Sequence, residues 1–301
     1  MTVTAKPEQR GLRSLLAGEK LEQRAAKVLT GLWIVGILLP IFSLVAISFA
    51  EGQGMTLHWS KLSVRSYSEI LVDYRLELIL RTIRIVLSVT AIEFLLAFPF
   101  ALWLAKGVQS KWAKSTLLVL LVVPFFLSPA ARTIVWRPVL GREGIINSLI
   151  MMSGISDSPI DWLLFSSFSI HLGLVGAYFP SMVWPLFISL SLIDDDLLHA
   201  SRDLGAATPQ TLRLIMFPLA WPGIVAGFIF TAVPMLGDNV VTTLLGGGKV
   251  SLIAENFDDM IGAMNFTGAA ALASVMIVGI VAAGALFSVL SRQALRFRTR
   301  P

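Results

Sequence analysis

The chain has 301 residues, 55% of them hydrophobic and 14% charged, with a mean hydropathy of +0.78. A soluble globular domain carries about 25% charged residues, so this composition excludes that class and indicates a polytopic membrane protein. There is no cysteine, which excludes a disulfide framework, thiol catalysis and a zinc–thiolate site.

The net charge of +5 does not indicate nucleic acid, because the basic residues gather beside apolar segments. A membrane helix needs about 20 mostly apolar residues. Six segments qualify, at roughly 28–50, 79–105, 115–136, 168–193, 217–237 and 268–290. The tail at 1–27 mixes both charge signs with Leu12, Leu15, Leu16 and Leu21. It reads either as an amphipathic helix on the membrane surface or as a solvated tail. Ser48-Phe49-Ala50 loosely resembles a signal-peptide cleavage site, but the preceding apolar run is far longer than a signal core, so the first span is expected to remain.

Glu93 falls near the middle of the second span. A carboxylate at that depth costs at least about 2.5 kcal/mol on insertion scales and should face protein or a water-filled path. It is either a counter-ion along a translocation route or a structural carboxylate paired with Ser88, Thr90 or an arginine of another span. Arg132 and Trp136 near the end of span three are either path residues or interfacial anchors. Tyr178 in span four lines the path or packs in the core.

Residues 194–218 form a polar insert between spans four and five. Asp194, Asp195 and Asp196 suit a helix N-terminus. Leu197, Ala200 with Ser201, Leu204 and Ala207 then recur at helical spacing. Thr208-Pro209 reads as a helix restart with Thr208 as N-cap. Pro218, Pro222 and Pro234 make span five the least regular of the six. Asp238 and Asn239 at its far end are further candidates for lining a path.

Gly246-Gly247-Gly248-Lys249 lacks the spacing and the Ser/Thr of a phosphate-binding loop, so ATP is not expected here. Those glycines read as turns. Glu255, Asp258 and Asp259 read as a solvated face or as protein contacts. His58, His171 and His199 show no metal-ligand spacing. In span six, Gly268, Ala269, Ala270, Ala271, Ala273, Gly279, Ala282, Ala283, Gly284 and Ala285 suggest close helix packing. A basic tail follows at 291–301.

Basic residues set the orientation. The N-terminal tail, the connection with Lys106, Lys111 and Lys114, the insert with Arg202 and Arg213, and the C-terminal tail hold about 15 of them, against about six in the alternate connections. Both termini and the insert are therefore expected in the cytoplasm.

The insert resembles the cytoplasmic signature loop of ABC-transporter permeases, the inner-membrane components of binding-protein-dependent importers. That pattern is Glu-Ala-Ala, three residues, Gly, nine residues, Ile, any residue, Leu-Pro. Here it reads His199-Ala200-Ser201, Gly205, Ile215, Phe217-Pro218. His199 replaces the acid, for which Asp203 or Asp196 would have to substitute, and Phe217 replaces the leucine. Arg132-Thr133, Trp136, Leu140 to Asn147, Leu236 to Asn239, Leu244 to Gly247 and Asn265 to Ala270 resemble the spermidine/putrescine branch.

The resemblance implies an all-α, six-span permease of the type I ABC importer fold in the bacterial inner membrane. In such a subunit the insert is a coupling helix docked on a cytoplasmic ATPase dimer. A second permease, expected to be a different paralogue, and an extracytoplasmic solute-binding protein complete the assembly. ATP and Mg would be held by the ATPase, leaving this chain without cofactor, metal or catalytic residue. Putrescine or spermidine leads the implied substrates, ahead of other cationic organic solutes. Two other classes compete. An ion-driven secondary transporter predicts repeated halves and intramembrane charge pairs, neither of which is evident. A non-transporting docking subunit would use the insert as a generic contact helix.

Overall fold

The computed structural model describes residues 7–53, 56–70 and 72–296. Lys6 at one end, and Arg298 and Arg300 at the other, lie outside them. The helix α1 spans Pro7–Ser48, followed by strands β1 (Ala50–Gln53) and β2 (Thr56–Leu62). Next come α2 (Arg65–Ile70) and α3 (Asp73–Leu102), the latter ending in a π-turn at Trp103–Gly107. Four helices follow, α4 (Lys111–Val122), α5 (Pro129–Ile134), α6 (Trp136–Leu140) and α7 (Ile145–Met152). The second half contains α8 (Ser167–Ser191), α9 (Asp195–Asp203), α10 (Thr208–Thr211), α11 (Phe217–Leu219) and α12 (Trp221–Leu236). It closes with α13 (Ile253–Gly262) and α14 (Phe266–Arg296).

The expected all-α class needs one correction. β1 and β2 pair antiparallel as a small hairpin after the first span. Helix dominates everywhere else among the described residues.

Three expected spans are single apolar helices, at Ala26–Ser48, Tyr74–Gly107 and Ser167–Ser191. The third and fifth are bent. Lys111–Phe126 and Pro129–Met152 meet at 107°, and Thr208–Leu219 and Trp221–Leu236 meet at 67°. Prolines account for both breaks. Pro124 and Pro129 each sit at the start of a new helical piece, where a missing N–H costs nothing. Pro218 and Pro222 do the same on either side of Ala220. The sixth element is one helix, Phe266–Arg296, which contains the range drawn from the sequence. The first helix runs unbroken from Pro7, so residues 7–27 continue the first span as helix.

Three helices, α3, α8 and α12, form the centre. Close approach of α8 and α12 depends on Gly223, where a Cβ would sit 2.3 Å from Ser189 Cβ and 2.5 Å from the Pro185 carbonyl oxygen. The peripheral α1 packs on α14 and keeps its apolar surface exposed, with Leu29, Leu32, Trp33 and Phe42 facing outward. That surface suits lipid. The small residues of α14 are buried from Ala269 to Leu272, but a Cβ at Gly279 or Gly284 would meet nothing. Among the described side chains of that helix, tight packing within this chain lies in its first part.

Candidate functional site

Two regions hold most of the candidate residues. One is the insert at the end of the bundle where α3 finishes, and the other is a polar layer halfway along α3, α8 and α12.

The insert folds as two short helices joined by a glycine turn. Asp194 caps α9, its Oδ1 accepting from the Asp196 N–H at 3.0 Å. The other end of α9 closes in a Schellman arrangement. The Ala206 N–H donates to the Ser201 carbonyl and the Gly205 N–H to the Arg202 carbonyl. This turn places Gly205 at φ +79°, a conformation that favours glycine. A Cβ there would meet nothing within 4 Å, so within this chain Gly205 is required by backbone conformation alone. The restart comes one residue earlier than the sequence suggests. Ala207 is the N-cap and Thr208 the first helical residue, while Gln210 Oε1 accepts from the Ala207 N–H at 2.9 Å. The glutamine closes the helix start from its third position, pairing the N–H of the N-cap residue itself.

The two faces of α9 differ. Leu198 and Ser201 are buried against the bundle, and the Ser201 and Thr211 hydroxyls share a hydrogen bond of 2.5 Å between α9 and α10. On the other face His199, Ala200 and Asp203 are exposed, and Leu197 and Leu204 are 48% and 88% exposed. Leu197, Ala200 and Leu204 recur three and four residues apart, so they form one outward apolar stripe. Ile215 lies in the π-turn Leu212–Met216 and is half-buried, as is Pro218 in α11. Phe217 stacks between Phe98 and Trp221, at 6.0 Å from each ring, and so anchors the insert to α3 and α12.

Lys106 and Lys114 tie this end together. Lys106 Nζ donates to the Ile193 carbonyl at 2.5 Å and to Asp195 Oδ1 at 2.7 Å. Lys114 Nζ donates to the Ala105 carbonyl at 2.9 Å and lies 5.5 Å from the centre of the Phe187 ring. The hydrogen bond and positive charge of Lys106 hold the exposed Asp195 carboxyl below the usual carboxylate range.

The polar layer sits between two apolar clusters. One, toward the insert, contains Ala97, Ala101, Met182, Leu186, Ala220 and Ile224. The other contains Ile85, Val89, Ile170, Leu174, Met235 and Val241. Between them α3 presents Thr90 and Glu93, α8 presents Tyr178, and α12 presents Thr231. Thr90 is 2% exposed, and Glu93 and Thr231 are 0% exposed.

Tyr178 donates to Asp238 Oδ2 at 2.7 Å, and Asp238 Oδ1 accepts from the Val241 N–H at 2.8 Å. Arg132 Nη1 donates to the Ala177 carbonyl at 2.8 Å. Asp238, Arg132 and Glu93 all lie within electrostatic reach of the Tyr178 hydroxyl. Trp136 packs edge-on against Gly176 of α8, about one residue from that group, so it is seated in the protein. Asn239 points elsewhere, its amide donating to Asp258 of α13.

The expected pairing of Glu93 with Ser88 or Thr90 is not formed. Ser88 Oγ is instead 2.8 Å from His171 Nε2, and both Glu93 oxygens lack a hydrogen-bond partner among the described residues. Lys106 and Thr231 are residues of these two regions that sequence reasoning passed over. Lys106 was legible only as a topological charge, and a threonine in an apolar helix gives no sign of which way its hydroxyl turns.

The insert fixes the reading at family level, and comparison with known proteins agrees. Residues 92–296 match the family described as "Binding-protein-dependent transport system inner membrane component". The chain belongs to this family. It is therefore a permease component of an ABC importer, a transport subunit without enzymatic chemistry of its own.

Among similar proteins, the spermidine/putrescine transport system permease protein PotB of Escherichia coli strain K12 is 32% identical over 75% of this chain and 82% of its own. PotB of Salmonella typhimurium strain SL1344 is 31% identical over 78% and 81%. The inner membrane ABC transporter permease protein YdcU of E. coli K12 is 28% identical over 68% and 69%. The fold is shared with a bacterial ABC transporter involved in import of the acidic polysaccharide alginate. Its two crystal structures superpose with TM-scores of 0.61 and 0.66 at 15% and 14% identity. The first covers 95% of this chain and 100% of that one, the second 92% and 96%.

Proposed function

We propose that this permease imports a polyamine, putrescine or spermidine, across the bacterial inner membrane. The observation that carries the substrate reading is Glu93, a carboxylate enclosed at mid-depth with no hydrogen-bond partner and no ion pair among the described residues. Burying a carboxylate there is costly, and a passing ammonium group is the partner that offsets the cost. Similarity to the spermidine/putrescine permeases supports the same class. Tyr178, Asp238 and Arg132 belong to the same route, with Trp136 supporting them. Asn239 with Asp258 closes its outer end.

In this reading the insert lies in the cytoplasm with both termini, consistent with the basic residues there. The exposed stripe Leu197, Ala200 and Leu204 docks on the ATPase, with His199 and Asp203 at its edge. Ser201, Gly205, Ile215 and Pro218 keep the insert stiff. A second permease completes the path and a solute-binding protein delivers the solute from outside. ATP-driven closure of the ATPase dimer moves α9, and Lys106 passes the movement to α3.

The test is ATP hydrolysis by the complex reconstituted in lipid with its ATPase, second permease and binding protein. Putrescine, spermidine, amino acids, thiamine and ferric iron form the panel. Stimulation by the polyamines alone is the expected result. Stimulation by another solute alone overturns the substrate reading.

A further inference from the structure

The hydroxyls of the polar layer separate it from the rest of the bundle. A buried threonine or serine in a helix normally satisfies itself by donating to a carbonyl three or four residues back. Thr82 donates in this way to Leu78, Thr133 to Pro129 and Ser274 to Ala270, each at 2.8 Å. Thr90 and Thr231 do not. Their Oγ1 atoms are buried and have no hydrogen-bond partner among the described residues, and the same holds for both carboxyl oxygens of Glu93.

These four oxygens lie together. Thr90 and Glu93 are three residues apart on α3 and so share a face. The Phe94 and Phe228 rings meet at 5.4 Å, which sets α12 against α3 in register. The helices run in opposite directions, since Ala97 and Ala101 share a cluster with Ile224 while Ile85 and Val89 share one with Met235. Thr231 is one turn beyond Phe228, and Thr90 one turn before Phe94. Thr231 thus faces the Thr90–Glu93 turn.

We infer that Thr90, Glu93 and Thr231 form a binding site for a primary ammonium group. The inference rests on the polyamine reading above and assigns one end of the substrate to a place. A primary ammonium has three N–H donors and no acceptor. It can give one to the Glu93 carboxylate and one to each threonine hydroxyl, which pairs three of the four orphaned oxygens and sets the positive charge against the carboxylate. Among the described residues no basic side chain hydrogen-bonds to these atoms: Arg132 gives Nη1 to the Ala177 carbonyl on α8, and its Nε is buried without a partner. A quaternary ammonium carries the same charge but has no N–H to give. The site therefore selects for donors as well as for charge, and leaving buried acceptors unpaired is what rejects the methylated analogue. With its atoms fully enclosed, this arrangement is the closed state, and the ammonium enters as α3 and α12 part.

The test uses the assembled complex in lipid vesicles, with uptake and ATP hydrolysis measured against putrescine and against its fully N-methylated analogue. Glu93→Gln, Thr231→Val and Thr90→Val are compared with Ser274→Ala, which alters a self-satisfied hydroxyl. The site predicts a KM for putrescine raised by about tenfold or more in Glu93→Gln and severalfold in each threonine variant. Ser274→Ala should keep the wild-type KM, and the methylated analogue should be transported poorly by the wild type. The valine variants keep shape and remove only the hydroxyl, so a folding defect does not stand in for the result. Wild-type KM in Glu93→Gln and Thr231→Val, with putrescine still transported, overturns the site and leaves the polyamine reading standing. A wild-type complex that ignores every amine overturns both.

Discussion

Lys106 and Asp195 join the end of α3 to the first turn of α9, with Nζ 2.7 Å from Oδ1 and the same nitrogen 2.5 Å from the Ile193 carbonyl oxygen. α3 also carries Glu93, so one lysine connects the exposed insert, the surface proposed to meet an ATPase, to the helix that carries the buried carboxylate. An ion pair with one partner in solvent adds little by itself. Here the added backbone bond fixes the geometry.

Lys106→Met should therefore leave the subunit folded and assembled while lowering solute transported per ATP hydrolysed. The paired measurement of uptake and hydrolysis in vesicles checks it. An unchanged ratio would remove Lys106 from the coupling route. The pH dependence has a definite sign. The Asp195 carboxyl is held below its ordinary value, chiefly by its hydrogen bond to Lys106. A depressed folded-state value means the pair is fully formed above the unfolded carboxylate value of about 4 and is lost only as pH falls through the lower folded value. Coupling between pH 8 and pH 6 should show no step that Asp195→Asn removes.

Gly205 separates two reasons for a glycine at this turn. Its φ of +79° disfavours a side chain, while the space around its Cβ is open within this chain. Gly205→Val should cost about 1–2 kcal/mol from the left-handed backbone. Gly205→Asn, tolerant of that conformation, should cost much less. Thermal unfolding of the purified subunit in detergent measures both. ATPase co-purification then adds the partner's view. If Gly205→Asn folds normally yet loses the ATPase, the partner's surface comes close to this turn.

The hydroxyl pair Ser201 and Thr211 should behave as a unit. Removing one hydroxyl by Ser201→Ala or Thr211→Val strands the other in a buried place and should cost about 1–3 kcal/mol. Removing both should cost less than the sum of the two. A double-mutant cycle on thermal stability reads the difference, and simple additivity would contradict the buried pair.

At Gly223 the expectation is steric. A leucine side chain would be driven into Ser189 and the Pro185 backbone, and overpacking of this kind costs about 1–3 kcal/mol or more. Gly223→Leu should reduce the folded, membrane-inserted fraction, read by fluorescence-detected size exclusion. Gly279→Leu, where nothing is within 4 Å, should not.

The coupling insert was largely legible in the sequence because its signals are local. Three aspartates, a glycine and a proline each act within one turn of chain. The shift of the N-cap from Thr208 to Ala207 was hidden because alanine has no capping side chain, and Gln210 closes the helix start by accepting from the Ala207 N–H. Glu93 was legible as an anomaly, but its companions were not. Thr90 and Thr231 are 141 residues apart in a chain of 301, and only the antiparallel register of α3 and α12 brings them to one level. The bends at Pro124 to Pro129 and at Ala220 escaped the hydropathy reading because apolar runs on both sides of a break add up to one span. The β1–β2 hairpin escaped because neither strand alternates cleanly.

The most direct test of the account is accumulation of labelled putrescine in vesicles containing the complete complex, with ATP on the ATPase side and loaded binding protein on the other. Accumulation that requires ATP, the binding protein and this subunit is the predicted result. Accumulation driven by an ion gradient without ATP would contradict it.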